Sequence, residues 1–230
     1  DIRIKHLNSD SKIKEKNKIY QDMGLKILYT CKNEICARFP FFSQGAAAFS
    51  FVMEEIASAN QRVDKIGTKT QITSIGTDGE YIKAQPLFLI QTWAEEPEML
   101  KRGYLHMLFH CLYLHPFYGG KREKRLWNLA CDLAVELLTE ENLPQNLWGF
   151  SDEKKRKRKQ ILQSFEGEIP SAEVIYQRLL EDEIPFEIEE METLFSFDNH
   201  ALWEKKLENR EEKRSRWERI LTYTNHGKER

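Results

Sequence analysis

The 230 residues carry 35 Lys and Arg against 37 Asp and Glu, a net charge of −2, with 40% hydrophobic and 11% aromatic residues. That balance fits a globular chain able to bury a sizeable core, and it argues against a general nucleic-acid or anionic-membrane binder. No apolar run reaches the roughly 20 residues that span a bilayer, and no signal peptide is visible. Cys31, Cys36, Cys111 and Cys131 form no C-x-x-C pair and read as buried free thiols in a reducing cytoplasm. The chain starts at Asp1 rather than Met, so the natural N-terminus is expected upstream.

Residues 13–39 read as helical, marked by Ile19, Met23, Ile27, Leu28 and Ile35, until Pro40 breaks the pattern. A second helix is expected over 41–59, with the small stretch Gly45-Ala46-Ala47-Ala48 allowing close packing. The β text is Gln71–Thr77 and Glu80–Ala84 around Asp78-Gly79, a hairpin signal. Helical text resumes over 87–94. Pro97, behind Glu95-Glu96, opens a helix that should end near His115, because the residue before Pro116 is pushed out of helical geometry. A turn at 117–120 leads to a helix over 122–138, and Glu153–Lys159 opens a charged helix. Ser171 reads as the N-cap of residues 172–181. From Leu202 onward the Glu-, Lys- and Arg-rich text predicts one long exposed helix.

His106 and His110 lie four apart in the helix that starts at Pro97. That spacing turns through about 40°, so both rings leave one face a turn apart, the grip of His-x-x-x-His metal sites. Gly103 on the same face would let another element approach closely. The bland alternative is a pair of hydrogen-bonded interface histidines. In the next helix Asn128, Asp132 and Glu136 are the polar residues between Trp127 and Leu138, and they recur every four. Such a line could face solvent, but a short connection makes the two helices neighbours and sets the acidic line opposite the histidines. Asp132 is the candidate third ligand. His115 falls ~180° from His106 on a straight helix, which gives it a supporting role behind the ligands. In Phe197–Trp203, Asp198 reads as an N-cap, or with His200 as a group reaching the same cleft.

In order, these motifs are a hairpin ending in Thr77-Asp78-Gly79, then His106-x-x-x-His110-x-x-x-x-His115, then Trp127-Asn128-x-x-x-Asp132. Ser171-Ala172-Glu173-x-Ile175-Tyr176 and Asp198-x-His200-x-x-Trp203 follow. The series resembles the metallopeptidase-related domain that precedes a VWA-like domain in many bacterial proteins, over about residues 33–203. The resemblance implies an α+β, mostly helical, zincin-like fold, with a small antiparallel sheet beside an active-site helix. His106 and His110 would be the metal pair, and zinc the expected ion. It implies a domain over 1–203 and a charged helical connector over 204–230 toward an absent VWA-like domain.

The sequence departs from that family at Met107, where many relatives have Glu. A general base commonly contributes on the order of 10²–10⁴ in rate, and methionine accepts no proton. Glu136, Asp198 and His200 are the candidate catalytic groups in its place. Two functions follow. One is a zinc-dependent peptidase or hydrolase acting weakly or not at all on protein or peptide. The other is a non-catalytic metal-binding domain that serves protein interaction beside a VWA-like domain. Nucleic-acid binding through Lys154–Lys159 is weaker, since acids flank the run and such runs are commonly solvated helix faces.

Overall fold

The computed structural model describes residues 2–54, 75–118, 120–142, 150–165, 170–204 and 209–226. Helix α1 (Ile2–Arg38) leads through a 3-10 turn (Pro40–Phe42) into the short α2 (Ser43–Ala47). Strand β1 (Ser50–Met53) comes next, then β2 (Ile75–Thr77) and β3 (Tyr81–Ala84). The helices α3 (Pro86–Glu95), α4 (Pro97–Leu112) and α5 (Lys124–Asn142) follow. They are succeeded by α6 (Asp152–Gln163), α7 (Ala172–Leu180), α8 (Ile188–Phe195), α9 (Ala201–Glu204) and α10 (Arg210–His226). The fold is α+β and mostly helical. No described helix is long and apolar enough to cross a membrane.

The helix expected over 41–59 stops at Ala47, and Ser50–Met53 is a strand parallel to β3. Gly-Ala-rich text favours helix locally. The Ser50-Phe51-Val52-Met53 run instead alternates exposed and half-buried side chains, and its pairing partner lies some thirty residues downstream. Residues 55–59 and 71–74 of the expected elements lie outside the described residues. The expectation of Gly45 held: a Cβ there would sit 2.7 Å from Leu108, so α2 rests close on α4.

The sheet order is β1-β3-β2, with β2 antiparallel to β3. Gly79 adopts φ 85°, open to glycine at low cost. Asp78 Oδ1 accepts the backbone N–H groups of Tyr81 (2.8 Å) and Glu80 (3.0 Å), and Lys213 lies 3.3 Å from its other oxygen. Burial works against the Asp78 charge, but these donors hold its carboxyl below the usual range. A carboxylate with a lowered folded pKa stabilises the fold above its unfolded pKa of about 3.9, and that contribution vanishes as pH falls through the folded value. Thermal melts should therefore show wild type more stable than Asp78→Asn by about 1 kcal/mol at pH 7. The gap should close as pH drops below the unfolded pKa, and a gap independent of pH would show that the charge is idle.

One apolar core gathers α1, the sheet and α4 through Leu28, Cys31, Ile82, Leu89, Leu105 and Leu108. The second gathers α5 to α9 through Leu129, Leu133, Ile161, Ile175, Met191 and Phe195. Helix α4 is buried from Leu100 to Leu112, and the site lies where it meets α5.

The charged C-terminal helix is mostly open to solvent, as expected, and is docked at Trp217. Trp217 of α10 is fully buried, meets Phe49 at 5.2 Å between ring centres, and donates its Nε1–H to Gly79 O at 2.7 Å. Ile220 and Leu221 pack on the same core and Thr224 is buried. Sparse apolar marks on charged text hide how much one tryptophan can bury. Amide exchange should thus be slow from Trp217 to about Ile220; exchange as fast as in an unfolded chain would restore the free-connector reading.

Candidate metal centre

Helix α4 opens with Pro97 at its first position and Glu98 at its positive end. Its histidine face meets α5, and His106 and His110 are fully buried. Their Nε2 atoms stand 2.8 Å apart. Asp132 of α5 directs Oδ1 at both, 3.2 Å from each, so the acidic line does lie opposite the histidines. Ser196 Oγ donates to the other oxygen of Asp132 at 2.8 Å.

The segment between α8 and α9 completes the group. His200 Nε2 lies 3.2 Å from Asp132 Oδ1 and 3.0 Å from Asp198 Oδ1. Asp198 Oδ1 is also 3.4 Å from His106 Nε2. His106, His110, Asp132, Asp198 and His200 each offer a ligand atom within 4.8 Å of the others, and all five are buried. Asp198 is not an N-cap; Asn199 Oδ1 instead takes the N–H of Ala201 at 2.9 Å.

The rings are held in place from behind. His106 Nδ1 hydrogen-bonds Glu136 Oε1 at 2.7 Å. Glu136 in turn meets Arg102 at 2.6 Å and Arg158 in a very short pair, and both guanidinium groups also reach Glu140. With Nδ1 donating to this carboxylate, Nε2 of His106 is the atom turned toward the cluster, where a cation would take its lone pair on displacing the proton. The His110 Nδ1 contacts His115 Nδ1 at 2.9 Å. That contact arises because α4 ends at Leu112 and Leu114 turns at φ 62° into a 3-10 turn (His115–Phe117), folding His115 back. His115 therefore stands behind His110, outside the five converging donors. The ring of His200 stacks on Trp203 at 3.6 Å.

Two expectations fail on geometry. A Cβ on Gly103 would meet nothing within 4 Å among the described residues, so no described element makes the expected close approach there. Glu136 is fully buried between His106 and two arginines and has no free oxygen for a base. Met107 packs in the apolar core with Leu105 and Leu108. Sequence reading missed Arg102, Arg158 and Glu140. Glu140 continues the four-residue rhythm of Asn128, Asp132 and Glu136. Arg158 is 1% exposed inside a basic run otherwise open to solvent, and nothing local distinguishes it.

Burial opposes charge throughout, and the neighbours decide each outcome. For Asp132 burial is outweighed by the charge of His200 and by bonds to His106 and His110, which hold its carboxyl well below the usual range. For Glu136 burial is outweighed by Arg102 and Arg158, with the same direction. Asp132, Asp198 and Glu136 raise His106 well above its ordinary value despite burial. Asp132 and Asp198 likewise raise His200 to about 9. Burial and the neighbouring His106 push His110 down to about 4. A cation entering here would displace protons.

The donors fit a divalent ion. Three imidazole nitrogens and two carboxylate oxygens converge at these separations, and two facing Nε2 atoms can share one proton at most. Tetrahedral metal bonds of ~2.0–2.2 Å put neighbouring ligand atoms about 3.3–3.6 Å apart, and the donor separations run from 2.8 to 3.4 Å, with His110 to Asp198 at 3.9 Å. Asp198 Oδ2 is buried with no hydrogen-bond partner among the described residues, and a buried carboxylate oxygen left so is costly without a cation. Two carboxylates also match the charge of a divalent ion. In comparisons with known proteins, no family model, no curated protein and no solved structure matches this chain.

Proposed function

We propose that this is a divalent-metal-binding, zincin-like domain with weak or no peptidase activity. The observation that carries it is the convergence of His106, His110, Asp132, Asp198 and His200 on one buried point, drawn from three separate segments. His106, His110 and His200 would hold the ion through nitrogen, and Asp132 and Asp198 through oxygen. Zinc suits this donor set. Such an ion supplies Lewis acidity when bound.

The chain's own residues favour binding over turnover. A hydrolytic site keeps an open position and a free base. Here Glu136 is committed to His106, Arg102 and Arg158, and Asp198 is directed into the donor cluster. Met107 stands in the core. These observations favour a metal-stabilised interaction module over a working peptidase. The resemblance in the sequence adds a VWA-like domain as the proposed partner and a peptide or protein as its ligand. Incubating zinc-loaded protein with casein should give no cleavage above a His106→Ala control. Chelator-sensitive cleavage lost in His106→Ala would overturn the non-catalytic reading.

A further inference from the structure

The segment that supplies Asp198 and His200 does a second thing. In the described sheet β2 is an edge, because the order is β1-β3-β2. The register pairs Ile75 with Ala84, Gly76 with Lys83 and Thr77 with Ile82. The outward carbonyl of Ile75 accepts the N–H of Asn199 at 2.7 Å. The carbonyl of Thr77, two residues on, accepts the Nε1–H of Trp203 at 3.0 Å. Asn199 O sits 2.5 Å from where a Cβ on Gly76 would be, so only glycine at 76 admits it without a shift. An extended peptide binding by strand addition needs those same edge groups.

The remaining opening is small and polar. A cavity of about 470 Å³ reaches Asp132, Asp198 and His200 past Asn128, Asn199 and Arg125. Arg125 on its rim is held by Glu189 and Glu192 at 2.7 Å each. Both outward carbonyls of the described β2 are taken.

We propose that Ser196–Trp203 is a built-in plug that sets what the site admits: it occupies the outward carbonyls of the β2 edge, excludes an extended peptide, and, among the described residues, leaves the Asn128–Asn199 mouth as the way to the metal position for a small polar molecule. This rests on the metal reading above. Displacing the plug would withdraw Asp198 and His200 and bare the β2 edge together.

The test uses the full chain loaded with cobalt(II), whose visible spectrum reports ligand exchange. It is titrated with acetohydroxamate and with a tetrapeptide hydroxamate. Acetohydroxamate should shift the spectrum and the peptide should bind at least about tenfold more weakly, the effect of one hydrogen bond's worth of competition. Gly76→Ala, which pushes Asn199 off the edge, should erase that preference. Trp203→Phe, which keeps the ring over His200 but drops the bond to Thr77, should reduce it and serves if Gly76→Ala does not fold. Failure of wild type to load cobalt refutes the metal reading. Loading followed by peptide binding as tight as acetohydroxamate overturns the plug, as does a preference unchanged in the folded variants. Loading with no response to acetohydroxamate overturns the small-molecule mouth.

Discussion

Replacing Glu136 by Ala should destabilise the fold by about 3–5 kcal/mol, the cost of removing one partner from a buried charge pair. Glu136 is fully buried and answers three groups: Arg102, Arg158 and Nδ1 of His106. Truncation leaves Glu140 as the one carboxylate beside the two buried guanidinium groups, 2.8 Å from Arg102 and 3.0 Å from Arg158, with Leu194 O as a further partner of Arg158. Arg102 already has two nitrogens without a hydrogen-bond partner among the described residues, although the rings of Phe150 and Phe197 face it at 5.0 and 5.7 Å. The variant has little spare capacity to compensate. Glu136→Gln keeps the shape and loses the charge, so it should cost less. Both should weaken metal binding by roughly 10–100-fold, the usual effect of losing the partner behind a ligating histidine. Urea unfolding measures the first effect. A loss below about 1 kcal/mol for Glu136→Ala, the range of an exposed ion pair, would mean that the network is not a structural clamp.

The second large effect is the response of stability to metal. A ligand that binds only the folded chain stabilises it by about 2.7 kcal/mol at a hundred times its Kd. For a domain of this size that corresponds to roughly 5–10 °C in Tm. Wild type should gain it on addition of zinc, and His106→Ala and His110→Ala should gain almost none. Each substitution removes one of two Nε2 atoms that face each other at 2.8 Å. The substitutions also relieve crowding of unshared nitrogens, so the metal-free variants should lose less stability than a cavity alone implies. An equal rise in Tm for wild type and His106→Ala would place the metal somewhere else.

The parts of the site legible in the sequence are those whose geometry is local. His106 and His110 share a helix face by spacing alone. Asp132 followed from one further step, a four-residue polar line on a neighbouring helix. His200 and Asp198 stood out only as motif-like residues, and their arrival beside α4 depends on α8 and the packing of a whole second core. Arg102, Arg158 and Glu140 were not legible, because their roles exist only once α4, α5 and α6 meet. Arg158 shows this most sharply, being buried beside exposed Lys154, Arg156 and Lys157. The sheet was half legible. Asp78-Gly79 announces the hairpin by its own chemistry, whereas β1 is strand only because β3 pairs with it. Met107 was read as a missing base, and its burial with Leu105 and Leu108 shows that this position belongs to the core.

The central claim is that the five donors hold one divalent ion, and elemental analysis of untagged protein tests it most directly. After incubation with excess zinc and exhaustive dialysis, wild type should retain about one metal ion per chain, as a single converging set of donors requires. His110→Ala and His200→Ala should retain far less while keeping a native far-ultraviolet spectrum. Wild type that retains no zinc, manganese, iron or cobalt under these conditions, or variants that retain as much as wild type, would contradict the account.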